Sequence, residues 1–86
     1  MSYKILFKRS AKKELEDLPA SHGKKVYEAI VNLKFDPRPH GCKKLKGTDD
    51  TCYRIRIGDY RVLYVIEDAV KIVEIIKVSH RRDVYE

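Results

Sequence analysis

Hydrophobic and polar residues alternate along three stretches of the chain and recur at helical spacing along two others. The clearest alternation covers residues 53–66 and is interrupted only at Gly58 and Asp59. A two-residue turn containing glycine, between runs of β-branched and aromatic residues, is typical of a β-hairpin. The pattern therefore predicts two antiparallel strands joined by this turn.

The short turn also predicts the register of the hairpin. One apolar surface is expected to hold Tyr53, Ile55, Ile57, Tyr60, Val62 and Tyr64. On the opposite surface Arg56 lies directly across from Arg61, and Arg54 lies across from Leu63. We call the surface formed by Arg54, Arg56 and Arg61 the arginine face. Because like charges directly across a sheet are destabilising, the arginine face predicts an anionic partner.

The first half of the chain predicts one strand and two helices. Residues 3–8 alternate and are expected to form an opening strand. Ser10 is expected to cap a first helix that ends at Pro19, and Ser21 to cap a second helix that runs to about Phe35. The apolar positions of the two helices are Ala11, Leu15 and Leu18, then Val26, Ala29, Ile30 and Leu33.

Residues 36–51 contain two prolines, two glycines and a basic cluster without either periodicity, which predicts a loop. Its lysines, Lys43, Lys44 and Lys46, lead directly into the strand that carries Arg54. Two interpretations stay open for them: contact with phosphate, or an ordinary solvated surface.

Residues 70–78 predict a last strand, joined to the hairpin through Asp68 and Ala69. The expected pairs are Val73 with Tyr64, Ile75 with Val62 and Glu74 with Leu63. This register would bring Glu74 near Arg54, so a structural ion pair is an alternative role for that arginine. The basic and polar residues His80, Arg81, Arg82 and Tyr85 follow the strand.

Length and composition predict one soluble domain spanning residues 1–86. Hydrophobic residues make up 43% and charged residues 37% of the chain, and no apolar run is long enough to span a membrane. The first residues lack the pattern of a secretory signal, so we expect the protein in the cytosol. Cys42 and Cys52 have no metal-ligand spacing and are expected to be reduced thiols there.

A net charge of +6 favours an anionic partner, with nucleic acid first and an acidic protein second. Cleavage of RNA through its own 2′-OH requires a proton acceptor, cations around the phosphate and a proton donor. The candidate residues are Arg54, Arg56, Arg61, His80, Arg81 and Tyr85. The sequence contains no motif for a metal or nucleotide cofactor, so none is expected. The alternative is a solvated arginine surface, with His80 exposed and Tyr85 used for packing.

The chain as a whole resembles the RelE/ParE superfamily of toxins from prokaryotic toxin–antitoxin systems, and its RelE-type branch in particular. The stretches that carry the resemblance are YKILFKRSAKKELEDLP, KKLKG, YRIRIGDYRVLYVI and VSHRRDVYE. The resemblance implies an α+β fold in which two helices pack on an antiparallel sheet of about four strands. It also implies a ribosome-dependent endoribonuclease that cuts mRNA in the A site, and an acidic antitoxin as partner.

By position, the active-site residues of that branch match Arg54, Arg56, Arg61, Arg81 and Tyr85. Its best-known members have lysines at the first two positions, and the pKa of arginine, above about 12, all but removes it as a proton donor or acceptor near neutrality. The resemblance thus implies charge stabilisation by these arginines, with Tyr85 as base and Arg81 or His80 as acid. Lys43, Lys44, Lys46 and Arg82 are expected to contact RNA or the ribosome.

Two other functions stay open. A ParE-like toxin would inhibit DNA gyrase without nuclease activity, and a basic binding module would hold RNA without cleaving it.

Overall fold

A computed structural model describes residues 2–45 and 52–80, and shows two helices packed on one face of a five-stranded sheet. The elements in chain order are β1 (Lys4–Phe7), α1 (Arg9–Glu16), α2 (Ala20–Asn32), β2 (Lys43–Lys44), β3 (Cys52–Ile57), β4 (Tyr60–Glu67) and β5 (Ile72–His80). The strand order is β1-β5-β4-β3-β2, with β1 parallel to β5 and the other neighbours antiparallel. The predicted α+β fold is therefore confirmed.

The sheet has one strand more than predicted, because Lys43 and Lys44 form a short edge strand where a loop was expected. These residues pair with Arg54 and Tyr53 of β3. Their periodicity could not be seen in the sequence, since a two-residue strand has no period. In the described ranges, neither helix is long and apolar enough to cross a membrane.

Both predicted helix caps are wrong. α1 begins at Arg9 with Lys8 as N-cap, and α2 begins at Ala20 with Pro19 as N-cap, so Ser10 and Ser21 lie inside the helices. Neither N-cap makes a side-chain hydrogen bond. The extended backbone of the two N-cap residues sets the entry into each helix, which in the case of Pro19 follows from its fixed φ.

α2 ends at Asn32, three residues before the predicted end. The next three backbone N–H groups donate to carbonyls three residues earlier, Leu33 to Ile30, Lys34 to Val31 and Phe35 to Asn32. The chain therefore tightens into a 3₁₀-type turn before Pro37.

The core lies between the helices and one face of the sheet, as predicted. Its fully buried side chains include Val26, Ile30 and Leu33 from α2 and its C-cap, packed against Tyr64 and Val62 of β4. The arginine face is on the other side of the sheet, which the helices do not cover.

The hairpin of β3 and β4 has the predicted register throughout. Tyr53 pairs with Tyr64, Arg54 with Leu63, and Arg56 with Arg61. Gly58 has φ +59° and Asp59 does not enter the left-handed region, a combination that favours glycine at the first turn position.

The predicted register of β4 and β5 is wrong. The turn spans residues 68–71 instead of two residues, because Lys71 adopts φ +57° before the strand begins at Ile72. Val73 consequently pairs with Ile66, and Ile75 with Tyr64. This slip of two residues leaves each side chain on its predicted face. Glu74 pairs with Val65 in the row of Cys52, two residues along β3 from Arg54, so the register gives no support to the Arg54–Glu74 ion pair.

A β-bulge changes the faces further along β5. Tyr64 pairs with Ile75 while Leu63 pairs with Lys77, so Ile76 is an extra residue in the strand. Beyond this point the alternation of β5 is reversed. Val78 enters the core, where it is 3% exposed, and Lys77 faces away from the core.

Candidate nucleic-acid site

The arginine face is built by the tight hairpin of β3 and β4. The register sets Arg56 and Arg61 side by side, and β2 adds Lys43 across from Arg54. Four cationic side chains thus occupy two adjacent rows of one sheet surface. Between the paired arginines and the turn lies a depression of about 110 Å³, lined by Arg56, Gly58, Asp59, Tyr60 and Arg61.

Arg54 is the most buried side chain of this face, since it is only 6% exposed. Its Nη1 atom is buried and has no hydrogen-bond partner within the described ranges. Burial, and secondly the charge of Arg56, lower the pKa of Arg54, but an arginine stays charged in a protein. A buried donor without an acceptor costs about 1–3 kcal/mol, and more when it is charged. An anion bound at this position would remove that cost.

The bulge in β5 decides which residue at the strand end joins the arginine face. Ser79 pairs with Arg61 and therefore shares its face, whereas His80 pairs with Tyr60. Ser79 is 7% exposed, and its Oγ atom is buried without a hydrogen-bond partner in the described part of the chain. Sequence reasoning missed Ser79, since the regular alternation predicted for β5 puts it on the core side.

His80 lies on the side of the sheet that the helices cover. Its ring meets the ring of Tyr60 edge-on, with centroids 5.1 Å apart at 90°, and the ring of His22 approaches Tyr60 at 5.4 Å. The structure therefore does not bring His80 together with Arg54, Arg56 and Arg61.

Glu14 of α1 holds the end of β5 in position. Its Oε1 accepts a hydrogen bond from the backbone N–H of Val78 at 2.9 Å, and its Oε2 pairs with Lys77 Nζ at 3.1 Å. β1 ends at Phe7 and offers no partner to this part of β5. The Glu14 carboxylate thus takes the place of a neighbouring strand as the hydrogen-bond acceptor. This role could not be predicted from the sequence, where Glu14 lies on the polar side of a helix.

A second polar cluster fixes the segment that leads to β2. Arg38 pairs with Asp68 at 2.8 Å and donates to the Tyr53 hydroxyl at 3.2 Å, and the Tyr3 hydroxyl donates to Asp68 at 2.6 Å. The Arg38 bond, and then the Tyr3 bond, lower the pKa of Asp68 to about 2. The buried Tyr64 hydroxyl donates to the Pro37 carbonyl at 2.8 Å. These contacts of Pro37 and Arg38 attach the segment to β3, to β4 and to the turn that follows β4.

The remaining predicted residues differ in where they lie. Lys43 lies on the arginine face, whereas Lys44 pairs with Tyr53 and points to the opposite side. Lys46, Arg81, Arg82 and Tyr85 lie outside the described residues. Within the described ranges, no group of three or more His, Cys, Asp and Glu side chains could hold a metal ion.

The fold and the site define a small α+β domain with a partly buried cationic sheet face, and comparison with known proteins defines its family. The family described as "ParE toxin of type II toxin-antitoxin system, parDE" matches residues 5–85. The candidate toxin RelE1 of Methanocaldococcus jannaschii is 39% identical over 100% of this chain and 98% of its own. Toxin RelE of Mycobacterium tuberculosis is 33% identical over 96% of this chain and 86% of its own.

Solved structures of similar proteins indicate the same family. The archaeal RelE–RelB complex from Pyrococcus horikoshii matches with a TM-score of 0.84 and 33% identity, covering 98% of this chain and 100% of that chain. The chain therefore belongs to the RelE/ParE toxin family of type II toxin–antitoxin systems. It is a RelE-family toxin of a toxin–antitoxin pair, which confirms the predicted family.

Proposed function

We propose that this toxin is a ribosome-dependent endoribonuclease that cleaves mRNA in the A site, through attack of the RNA's own 2′-OH and without a metal ion. One observation carries the proposal: Arg54 is buried beside Arg56, has an unpartnered Nη1, and shares its face with Arg61. A phosphodiester supplies the acceptors that these guanidinium groups require. Cleavage would stop translation in the cytosol, where we propose that the protein acts.

In this mechanism the arginine face stabilises charge. Attack on the phosphorus places extra negative charge on the phosphate oxygens, and preorganised cations lower the energy of that state more than that of the bound RNA. Arg56 and Arg61 are cross-strand neighbours on one face of the sheet and can hold one phosphate between them. Lys43, at the edge of the same face, is proposed to contact the neighbouring RNA backbone, together with Lys46 and Arg82. Lys44, on the opposite side of β2, is proposed to contact the ribosome.

Proton transfer is assigned to residues outside the arginine face. Tyr85 is proposed as the base that accepts the 2′-OH proton, and Arg81 or solvent as the group that protonates the leaving 5′-oxygen. Because the ring of His80 packs edge-on against Tyr60, on the side of the sheet that the helices cover, His80 is the weaker candidate for the acid. If Tyr85 is the base, Tyr85→Phe removes most of the cleavage rate and changes its pH profile while ribosome binding persists.

The direct test uses purified ribosomes programmed with a defined mRNA. The wild-type protein, treated with EDTA beforehand to remove any bound metal, should cut the mRNA within the A-site codon. It should leave the same RNA intact when ribosomes are omitted. An uncut mRNA on the ribosome would contradict the proposal.

A second candidate activity follows from the family match, whose description names ParE toxins. A gyrase inhibitor of this fold would block DNA supercoiling and leave A-site mRNA intact. A supercoiling assay run beside the cleavage assay separates the two activities. We favour the nuclease, because gyrase inhibition gives no role to a buried, unpartnered Arg54.

We also propose that an acidic antitoxin neutralises this toxin by covering the arginine face. Similar structures include RelE–RelB complexes from Pyrococcus horikoshii and Escherichia coli. The same face of the sheet carries apolar side chains near the cations, Leu63 and Val65 half-buried and Leu6 38% exposed. A segment that combines acidic and apolar residues fits this surface. A purified complex that keeps full cleavage activity would contradict this part of the proposal.

A further inference from the structure

We propose that Ser79 is a substrate-binding residue, whose hydroxyl donates a hydrogen bond to a non-bridging oxygen of the RNA phosphate held by Arg61. This inference rests on the proposed RNA cleavage and adds a residue to its site. Neither the sequence pattern nor the family resemblance had assigned a role to Ser79.

The position of Ser79 follows from the bulge at Ile76. The bulge reverses the alternation of β5, so that Ser79 lies directly across from Arg61, which in turn lies across from Arg56. One row of the sheet therefore runs Arg56, Arg61, Ser79. Cross-strand neighbours have Cβ atoms about 4.5–5.5 Å apart, so a group bound by Arg61 is within reach of the Ser79 hydroxyl.

The chemistry of this row and of the neighbouring Arg54 calls for an anion. Ser79 Oγ and Arg54 Nη1 are both buried without a hydrogen-bond partner in the described part of the chain, and their residues are only 7% and 6% exposed. A guanidinium group can donate hydrogen bonds but cannot accept one. A phosphate has several acceptor oxygens, and so it can accept from Ser79 and from the arginines at the same time.

The fold holds Ser79 in place before substrate arrives. Glu14 binds the backbone N–H of the preceding residue, Val78, whose side chain is buried in the core. The hydroxyl therefore needs only a rotation about χ1 to meet the phosphate. No proton is transferred in this contact: the Ser79 hydroxyl keeps its hydrogen, and the base and acid of the reaction lie elsewhere.

The test is single-turnover cleavage on programmed ribosomes with Ser79→Ala, and with Ser79→Thr, which keeps a hydroxyl. We expect Ser79→Ala to lower the rate at least about tenfold, as for the loss of one hydrogen bond to a charged acceptor in the transition state. Ser79→Thr should restore most of the rate. Ser21→Ala, the same change at an exposed serine of α2, is the matched control and should cleave as the wild type does.

A sulfur substitution identifies the contacted atom. The mRNA carries a single Rp or Sp phosphorothioate at the cleaved bond, and sulfur is a poor hydrogen-bond acceptor. One of the two diastereomers should slow the wild-type protein more than it slows Ser79→Ala, because the variant has no hydroxyl to lose. A purely structural role for Ser79 would give equal thio effects in both proteins.

Each result is decisive. Equal rates and equal thio effects for wild type and Ser79→Ala would overturn the inference while leaving the proposed nuclease intact. If the wild type cleaves no mRNA, the proposed function fails, and NMR titration with inorganic phosphate tests the site alone. Phosphate should then shift the Ser79 amide signal more than the Ser21 signal, and this measurement also serves if Ser79→Ala does not fold. Equal shifts would overturn the inference.

Discussion

The hairpin of β3 and β4 and the hairpin of β4 and β5 share a strand, yet only the first has the register that its sequence predicts. In the first, two turn residues with glycine at φ +59° leave one way to pair the strands. In the second, a turn over residues 68–71 and a bulge at Ile76 shift the pairs twice. Local sequence thus sets the first register, while contacts from distant elements set the second.

The difference matters for the site, because the two hairpins contribute to it unequally. The first supplies Arg54, Arg56 and Arg61, whose shared face is visible in the alternation. The second supplies Ser79, whose place depends on the bulge and on Glu14 of α1. The following predictions break one hairpin or the other.

The largest effect is expected from Val78→Lys, at the residue that the bulge turns into the core. Val78 is 3% exposed and pairs with Val62. A lysine buried there should lower the free energy of unfolding by about 3 kcal/mol or more, measured by urea denaturation. The control is Val70→Lys, the same change at a valine that is 62% exposed in the turn of this hairpin, and it should cost little. Equal urea midpoints for Val78→Lys and the wild type would show that the bulge does not turn Val78 into the core.

Loss of one arginine from the first hairpin should affect activity and not folding. Arg61→Ala is expected to lower A-site cleavage about 100-fold, as for loss of one preorganised charge donor. The melting temperature should stay or rise, since a like-charge pair with Arg56 disappears. Lys4→Ala removes a cation from the far end of the same sheet face and should change neither quantity. Intact cleavage with a lower melting temperature would make Arg61 a structural residue.

Removal of the Glu14 carboxylate should disturb the second hairpin alone. Glu14→Ala leaves the Val78 N–H without its acceptor and is expected to lower the free energy of unfolding by about 1–3 kcal/mol. Cleavage should fall as well, because Ser79 loses its support. The control is Glu16→Ala, at an exposed carboxylate of the same helix. An unchanged stability would mean that β5 is held without this hydrogen bond.

The turn of the first hairpin gives a smaller effect. Gly58→Ala should cost about 1–2 kcal/mol, because φ is positive there and a Cβ would meet nothing within 4 Å, so that backbone strain is the whole effect. Gly23→Ala in α2 makes the same change where φ is helical and contacts are ordinary, and should stabilise the protein by about 0.5–1 kcal/mol. Thermal unfolding of both variants measures the difference, and shifts of the same sign would refute the strain argument.

The smallest effect is expected at the turn of the second hairpin and depends on pH. Arg38 and Tyr3 hold the pKa of Asp68 at about 2, below its ordinary value of 3.8. A lowered pKa adds stability above the ordinary value, and this stability is lost as the pH falls from about 4 to about 2. Asp68→Asn should therefore reduce stability at neutral pH and flatten the acid limb of a pH titration. Glu67→Gln is the neighbouring control, and an acid limb unchanged by Asp68→Asn would contradict the prediction.

The sequence predicts the parts of this molecule that repeat a period. The core faces of both helices and the Arg56–Arg61 pair follow from spacing alone. The helix starts could not be predicted, because Lys8 and Pro19 set them through backbone direction and not through a capping side chain. The two-residue strand at Lys43 has too few residues for a pattern. The position of Ser79 depends on the Glu14 carboxylate, 65 positions earlier in the chain. Local sequence patterns cannot predict such a distant contact.

The location of β5 between β1 and β4 has a consequence for folding during synthesis. Synthesis proceeds from the N-terminus, so residues 72–80 leave the ribosome after every other described element. Until they appear, β1 has no neighbour in the sheet, and Arg61 has no serine beside it. A nascent chain from which residues 72–80 have not yet emerged therefore lacks part of the proposed nuclease site. The order of the strands thus makes the proposed cleavage depend on the emergence of β5.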